Sequence, residues 1–246
     1  MPDDAFTVPR LAEIYDVLEG DRGDLDHYLA IAAEFGARSV LDVGCGTGTF
    51  ACLLAGRGIE VVGVDPAAAS LDIARAKPGA QRVRWLHGDA TRLPELQVDL
   101  ATMTANVGQV FLGDEEWSAT LRGIHGALRP GGHLVFEVRD PARQAWLGWN
   151  REASYVSLDV PGAGPVETWL DLTEVDGDYV SYRRTCVFAD GTTLTSDSTR
   201  RFRSRAEIEG SLRSAGYTLA EVRGAPDRPG REWVFIARKP EPSAPE

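Results

Sequence analysis

The stretch Val40-Leu41-Asp42-Val43-Gly44-Cys45-Gly46-Thr47-Gly48-Thr49-Phe50 decides the fold. A short apolar run carrying one acid enters a loop with glycine at every second position, and a segment of helical spacing leaves it at Thr49. Glycine has no Cβ, so the backbone turns sharply there and comes close to a ligand. The helix that follows aims unpaired N–H groups at whatever sits against the loop. Strand, glycine loop and helix in that order form a ligand-binding turn of an α/β protein.

Outward from the loop, helical and strand patterns alternate. Leu25 to Phe35 has the apolar spacing of a helix, with Gly36 as its stop. Ser39 to Val43 is the first strand, and Thr49 to Ala55 a helix ended by Gly56 and Gly58. Glu60 to Val64 is the second strand, Ala67 to Ala76 a helix, Val83 to Leu86 the third strand and Val98 to Thr104 the fourth. Glu115 to Leu128 is a helix stopped by Pro130-Gly131-Gly132, and His133 to Val138 is the fifth strand. Strands that are nearly continuous apolar runs, separated by helices, indicate a parallel sheet covered on both faces. Right-handed crossovers then make it doubly wound.

After Asp140 the texture changes. Val166 to Thr173, Asp178 to Phe188 and Thr192 to Phe202 alternate polar and apolar residues. The turns Asp176-Gly177-Asp178 and Ala189-Asp190-Gly191 join them, so they read as antiparallel strands. A helix from Arg205 to Ala215 and strands at Tyr217 to Val222 and Trp233 to Ala237 complete the pattern. The expectation is one domain over residues 1–246, with inserted antiparallel strands over about 150–203 and a loose tail over 239–246. The first few residues read as loose too.

The glycine loop itself discriminates between ligands. In the dinucleotide fingerprint G-x-G-x-x-G the last position is glycine or alanine, and here it is Thr49. The Walker A pattern fails because no G-K-[ST] follows. The segment closely resembles the first motif of class I methyltransferases, [DE]-x-G-x-G-x-G, with Asp42, Gly44, Gly46 and Gly48 in register. Further motifs extend the resemblance over residues 39–138: Asp65 lies 21 residues after Gly44, Asp89 lies in Gly88-Asp89-Ala90, and Leu128-Arg129-Pro130-Gly131-Gly132-His133-Leu134 leads into the fifth strand. The resemblance implies a mostly parallel, seven-stranded Rossmann-like sheet and S-adenosylmethionine as cofactor. It places Asp42, Gly44, Cys45, Gly46, Gly48, Asp65, Pro66, Asp89, Ala90 and Thr104 around that cofactor, with Asp65 on the ribose hydroxyls and Asp89 on the adenine amino group. The residues by themselves leave plainer roles open. Asp42 can tie down loop N–H groups, Asp65 before Pro66 can cap a helix, Asp89 can serve a turn, and Cys45 can be a small packing residue.

A methyl acceptor belongs outside the carboxyl ends of the fourth and fifth strands. The fourth runs into Thr104-Ala105-Asn106-Val107-Gly108-Gln109, without the [DN]-P-P-[YF] of enzymes that methylate base amino groups or glutamine amides. Asn106 and Gln109 are candidate polar contacts there. The fifth ends in Glu137-Val138-Arg139, whose two charged residues face one way and pair with each other or with an acceptor. Trp146 and Trp149 follow on a connection suited to an acceptor wall, or to packing under the inserted strands. Ile14-Tyr15-Asp16 resembles the segment by which small-molecule N-methyltransferases lay a tyrosine over the cofactor, and the inserted strands resemble their acceptor roof. Tyr15, Asn106 and Arg139 are therefore the candidate catalytic residues, and Gln109, Trp146 and Trp149 the candidate acceptor contacts.

Composition narrows the partners. The chain has 37 acidic and 26 basic residues, a net charge of −11, which argues against nucleic acid. One basic run, Arg200-Arg201-Phe202-Arg203-Ser204-Arg205, reads either as an RNA grip or as an exposed strand leading into a helix. No apolar stretch of about 18 residues suggests a membrane span, and Met1-Pro2-Asp3-Asp4 does not read as a secretory leader. Three scattered cysteines and four unclustered histidines suggest reduced thiols, a cytoplasmic setting and no metal site. The expected activity is methyl transfer to N or O of a small molecule. An RNA or protein methyltransferase, an NAD-dependent oxidoreductase and a non-catalytic cofactor-binding module stand as alternatives, and oligomeric state is left open.

Overall fold

The computed structural model describes residues 2–242. In chain order it holds helices α1 (Asp4–Thr7), α2 (Pro9–Glu19) and α3 (Leu25–Glu34), strand β1 (Ser39–Val43), α4 (Thr49–Gly56), β2 (Glu60–Asp65), α5 (Ala68–Ala76), β3 (Val83–His87), β4 (Val98–Met103), α6 (Asp114–Ala127) and β5 (Leu128–Arg139). There follow α7 (Arg151–Ser154), β6 (Val156–Val160), β7 (Gly164–Asp176), β8 (Tyr179–Phe188), β9 (Thr193–Arg201), α8 (Arg205–Ser214), β10 (Thr218–Gly224) and β11 (Glu232–Arg238).

The main sheet has seven strands in the order β10-β11-β5-β4-β1-β2-β3, and β11 runs antiparallel to both its neighbours. Successive side chains of β1 serve opposite cores, as the two-residue period of a strand demands. Leu41 and Val43 pack with Trp117, Leu121 and Ile124 of α6. Val40 packs with Leu29 and Ala32 of α3 and with Phe50 and Leu54 of α4. Because β1 lies between β2 and β4, the chain leaves the sheet in opposite directions on its two sides. A crevice opens at that switch point, over the carboxyl ends of the strands.

A second sheet, β6-β7-β8-β9, is an antiparallel meander inserted after β5. The amphipathic α2 fills the space beside it, with Leu11 and Ile14 packed on Val160, Val166, Cys186 and Phe188. Strand β6 and helix α7 were not foreseen, being short and half exposed. Strand β5 begins at Leu128, not His133: Pro130-Gly131-Gly132 forms an irregularity inside the strand, where Val98 pairs with Leu128 but Leu100 pairs with His133. The chain ends are held more tightly than expected. Asp3 accepts hydrogen bonds from Ser198 and Arg200, and Lys239 donates through Nζ to the carbonyls of His125 and Leu128. Of the expected loose tail, residues 243–246 lie outside the described residues. No helix among the described residues is long and apolar enough to cross a membrane.

The basic run is not a surface patch. The run is a strand end leading into a helix, but Arg200, Arg201, Phe202 and Arg203 are buried, which corrects the RNA grip and the expected exposure; Arg205 alone of its arginines is exposed. Arg201 bolts the inserted sheet to the start of α6, bonding Asp178 at 2.7 Å, Asp114 at 2.6 Å and the Leu112 carbonyl at 2.9 Å. Breaking a buried guanidinium cluster leaves charges without partners. Asp114 is largely solvent exposed, so the cost is lower than for a fully buried pair. Arg201→Ala is expected to lower unfolding free energy by about 2 kcal/mol in urea denaturation. A loss indistinguishable from zero would show that the two sheets are not coupled through this residue.

Candidate functional site

The glycine loop is wound through three left-handed positions, Gly44 (φ +69°), Gly46 (+52°) and Gly48 (+76°). Two of them are glycine because protein atoms crowd them. A Cβ on Gly44 would stand 2.7 Å from Val107 Cγ2, and one on Gly48 2.4 Å from Trp85 Cη2. Gly46 differs: a Cβ there meets nothing within 4 Å. It faces open space where a ligand can lie against the backbone.

Asp65 holds this loop in place. Its Oδ2 accepts from the Gly46 N–H at 2.8 Å and its Oδ1 from the Ala67 N–H at 2.7 Å. Asp42 does not tie loop N–H groups. Its Oδ1 accepts from the Thr102 hydroxyl at 3.1 Å, and its Oδ2 is buried without a partner. Burial pushes the Asp42 carboxyl up to about 7. Nor does Asp65 cap α5, whose N-cap residue is Ala67. Asp89 is exposed at the end of β3 and accepts from the backbone N–H and hydroxyl of Thr91, so it does form a turn, with Ala90 buried beneath. The Pro66 carbonyl lies 3.1 Å from His87 Nε2, and Thr104 is buried at the end of β4. Burial raises the Cys45 thiol well above its ordinary range, so it is a packing group and not a nucleophile. The loop thus combines a clamped backbone, an open approach at Gly46 and a buried acid, Asp42, without a partner for one oxygen.

Helix α2 hangs on the same loop. Asp16 accepts from the Thr47 hydroxyl at 2.6 Å and pairs with Lys77 at 2.6 Å. The next residue, Tyr15, lies edge-on to Phe6 and lines a polar cavity of about 420 Å³ between α2, the ends of β4 and β5, and the inserted sheet. Tyr15, Asn106, Arg139 and Trp149 meet at this cavity. Trp149 packs against Tyr182, the rings tilted by 59° with centroids 4.6 Å apart. Burial raises the Tyr15 phenol far above its usual range, so it stays protonated.

Two expected acceptor contacts stand elsewhere. Gln109 is buried, and its Oε1 accepts from the Arg139 backbone N–H at 3.4 Å and from Nη1 at 3.2 Å. It orients Arg139 and does not face the cavity. Trp146 is packed edge-on against Phe202 at 4.6 Å, with Val180, in a small core under the inserted sheet. Glu137 and Arg139 do not pair with each other. Glu137 accepts from the Tyr28 hydroxyl and from the Asn106 N–H at 3.2 Å, while the Asn106 side-chain amide reaches Glu232 at 3.3 Å. Ala105 and Asn106 sit at φ +55° and +61°, a strained pair of non-glycine residues at the cavity edge.

Several lining residues escaped notice: Arg22, Tyr182, Arg184, Ser196, Ser198 and Arg228. Tyr182 and Arg184 alternate along β8, opposite Ser198 and Ser196 of β9. The period-two signal was present, but it does not say which face of an inserted sheet turns inward.

Residues 40–132 match the family model of a methyltransferase domain. Over 106 residues the chain is 40% identical to cypemycin N-terminal methyltransferase from Streptomyces sp, covering 43% of this chain and 43% of that enzyme. It is 27% identical over 241 residues to malonyl acyl-carrier-protein O-methyltransferase from Serratia marcescens, covering 92% of this chain and 89% of that enzyme. The structure of an S-adenosylmethionine-bound amino pentose methyltransferase from Micromonospora echinaspora shares the fold at a TM-score of 0.66 and 23% identity, over 90% of this chain and 93% of that one.

The loop geometry separates two glycines experimentally. Gly48→Ala meets Trp85 and is expected to destabilise the protein by about 3 kcal/mol, whereas Gly46→Ala should cost only the backbone strain of about 1 kcal/mol. Gly46→Ala should nevertheless lose the thermal stabilisation given by S-adenosylhomocysteine; retained stabilisation would move the ligand away from the loop. A second expectation concerns pH. Burial, with the neighbouring Glu232, pushes the Glu137 carboxyl from 4.5 to about 7. The folded state thus binds a proton that the unfolded state has released, so this contribution is full below about pH 4 and is lost as pH rises through about 7. Between pH 5 and 8, wild type should lose about 2 kcal/mol more stability than Glu137→Gln. Equal slopes in the two proteins would show an ordinary carboxyl.

Proposed function

We propose that the chain is a class I methyltransferase that depends on S-adenosylmethionine and methylates a nitrogen or oxygen of a small-molecule acceptor held under the inserted sheet. The observation that carries this reading is the cavity of about 420 Å³, walled by α2, the ends of β4 and β5, and the antiparallel strands. That volume suits a compact ligand enclosed on several sides. A surface that reads a polynucleotide is instead open and basic. The amino pentose enzyme, which has a similar fold, supports an acceptor of this kind.

When bound, S-adenosylmethionine supplies a methyl group on a sulfonium centre. In this reading Gly44, Gly46 and Gly48 let the backbone approach it, Asp42 offers its unpaired oxygen to the cationic part, and Asp65 and Asp89 accept from ribose and adenine. Pro66, Ala90, Cys45 and Thr104 shape the walls. Tyr15 stays protonated and donates to the acceptor or closes over the methyl group, and Asn106, strained and held by Glu137 and Glu232, lines the approach. Arg139, oriented by Gln109, and Trp149 hold the acceptor. Alignment and exclusion of water by α2 and the inserted sheet carry much of the rate. The inserted strands thus act as the acceptor roof.

Incubation with S-adenosylmethionine and a panel of small amines and hydroxyl compounds, read by mass spectrometry, is expected to yield a methylated small molecule. Tyr15→Phe should lower kcat by about tenfold to a hundredfold with little change in S-adenosylhomocysteine affinity. Asp65→Ala should weaken that affinity. Methylation found only on RNA or protein would overturn the small-molecule reading, and thermal stabilisation by NAD alone would contradict the cofactor.

A further inference from the structure

Five arginines line the acceptor cavity: Arg22, Arg139, Arg184, Arg200 and Arg228. Three have a carboxylate of their own, Arg22 with Asp24 at 2.9 Å, Arg200 with Asp3 at 2.9 Å and Arg228 with Glu232 at 2.8 Å. The other two do not. Arg139 comes no nearer than 3.7 Å to Glu232, a carboxylate that Arg228 and Asn106 already engage. Arg184 has no carboxylate partner among the described residues. Its neighbour Arg183, on the outer face of β8, takes Asp197 at 2.7 Å. Burying a guanidinium without an anion is unfavourable. Burial and the neighbouring Arg228 and Arg200 accordingly depress Arg139.

The strand register keeps room around the second cation. Arg184 and Tyr182 stand opposite Ser196 and Ser198, whose short side chains leave the space between strand face and α2 unfilled. The acids of the lining that lack a pairing arginine, Glu19 at the end of α2 and Asp21 just beyond it, are exposed. Trp149 and Tyr182, packed together with tilted rings, form an aromatic wall in the same cavity, with the Arg139 guanidinium 5.9 Å from the Trp149 ring. One cation with only a distant, shared carboxylate comes from the main sheet and one without a carboxylate partner among the described residues comes from the inserted sheet, both lining the space assigned to the acceptor.

We propose that the acceptor carries a compact anion, a carboxylate or a phosphate monoester, recognised by Arg139 and Arg184, with its nucleophilic atom turned toward Tyr15 and Asn106. This rests on the reading of the cavity as the acceptor site. Guanidinium groups suit either anion because their planar forks match two oxygens at once.

The test is calorimetric titration of acetate and, separately, inorganic phosphate into protein saturated with S-adenosylhomocysteine. Wild type is expected to bind at least one of them saturably. Arg184→Gln and Arg139→Gln should each weaken that binding by about tenfold or more. Arg183→Gln, on the outer face, should not, and the S-adenosylhomocysteine affinity of all four proteins should agree. Preference between acetate and phosphate names the anion. Absence of saturable binding by both, or binding that survives Arg184→Gln and Arg139→Gln in folded protein, would overturn the proposal. Failure of wild type to bind S-adenosylhomocysteine while still binding an anion would instead strike the methyltransferase reading of the glycine loop.

Discussion

The two hydrogen bonds of the Asp65 carboxylate hold together everything that follows at the carboxyl edge of the sheet. One draws in the Gly46 N–H at the end of β1, and the other fixes the Ala67 N–H at the turn into α5. The loop they clamp would otherwise be free to spend the conformational freedom of three left-handed glycines. The loop amides, already bonded to Val64 through Gly44 and Cys45, are thereby locked against the neighbouring strand. A backbone held this firmly presents a defined surface to a ligand before the ligand arrives.

The acceptor side is hung from that clamp. Thr47 of the loop donates to Asp16, which sets α2 and so sets Tyr15. The N-terminal segment then reaches outward to the inserted sheet, through Asp3 to Ser198 and Arg200 and through the Ala5 N–H to Ser196. Arg201 closes the circuit by joining the inserted sheet to α6. A cofactor loop, a helix and a roof are therefore one connected hydrogen-bonded unit, and the cavity is the space it encloses. Closure of the N-terminal segment over that space needs no separate lid, because the segment is packed on both sides.

The glycine-loop half of the candidate site was legible along the chain because its parts are short and contiguous. A strand, a turn and the first residue of a helix lie within one loop, so spacing alone carries their geometry. Even there one of the plainer roles left open falls to a different residue. Tying down loop amides was a role open to Asp42, but its side chain emerges one strand inward toward Thr102, and Asp65 on the neighbouring strand reaches the amides instead. Strand adjacency settles that, and adjacency is a product of pairing. Gln109 and Trp146 show the same limit. Both lie in segments correctly suspected, but a residue near a site in sequence faces it or backs it according to a turn of the chain.

The alternation of helix and strand, the glycine spacing and the acids after successive strands follow from local chemistry, and they were enough for fold class, cofactor class and the turns of the glycine loop. The acceptor cavity was not, because its walls come from residues as far apart as Tyr15, Asn106, Arg139 and Arg184, which share no local pattern. The run from Arg200 to Arg205 makes the difference plain. As a string it is a block of positive charge; folded, Arg200 and Arg201 are buried and bound to Asp3, Asp114 and Asp178, three acids distant in the chain, while Arg205 stays exposed and pairs with Glu209. Charge in a sequence says how much is present. Whether it faces solvent, a ligand or another charge depends on which distant segments the packing brings alongside.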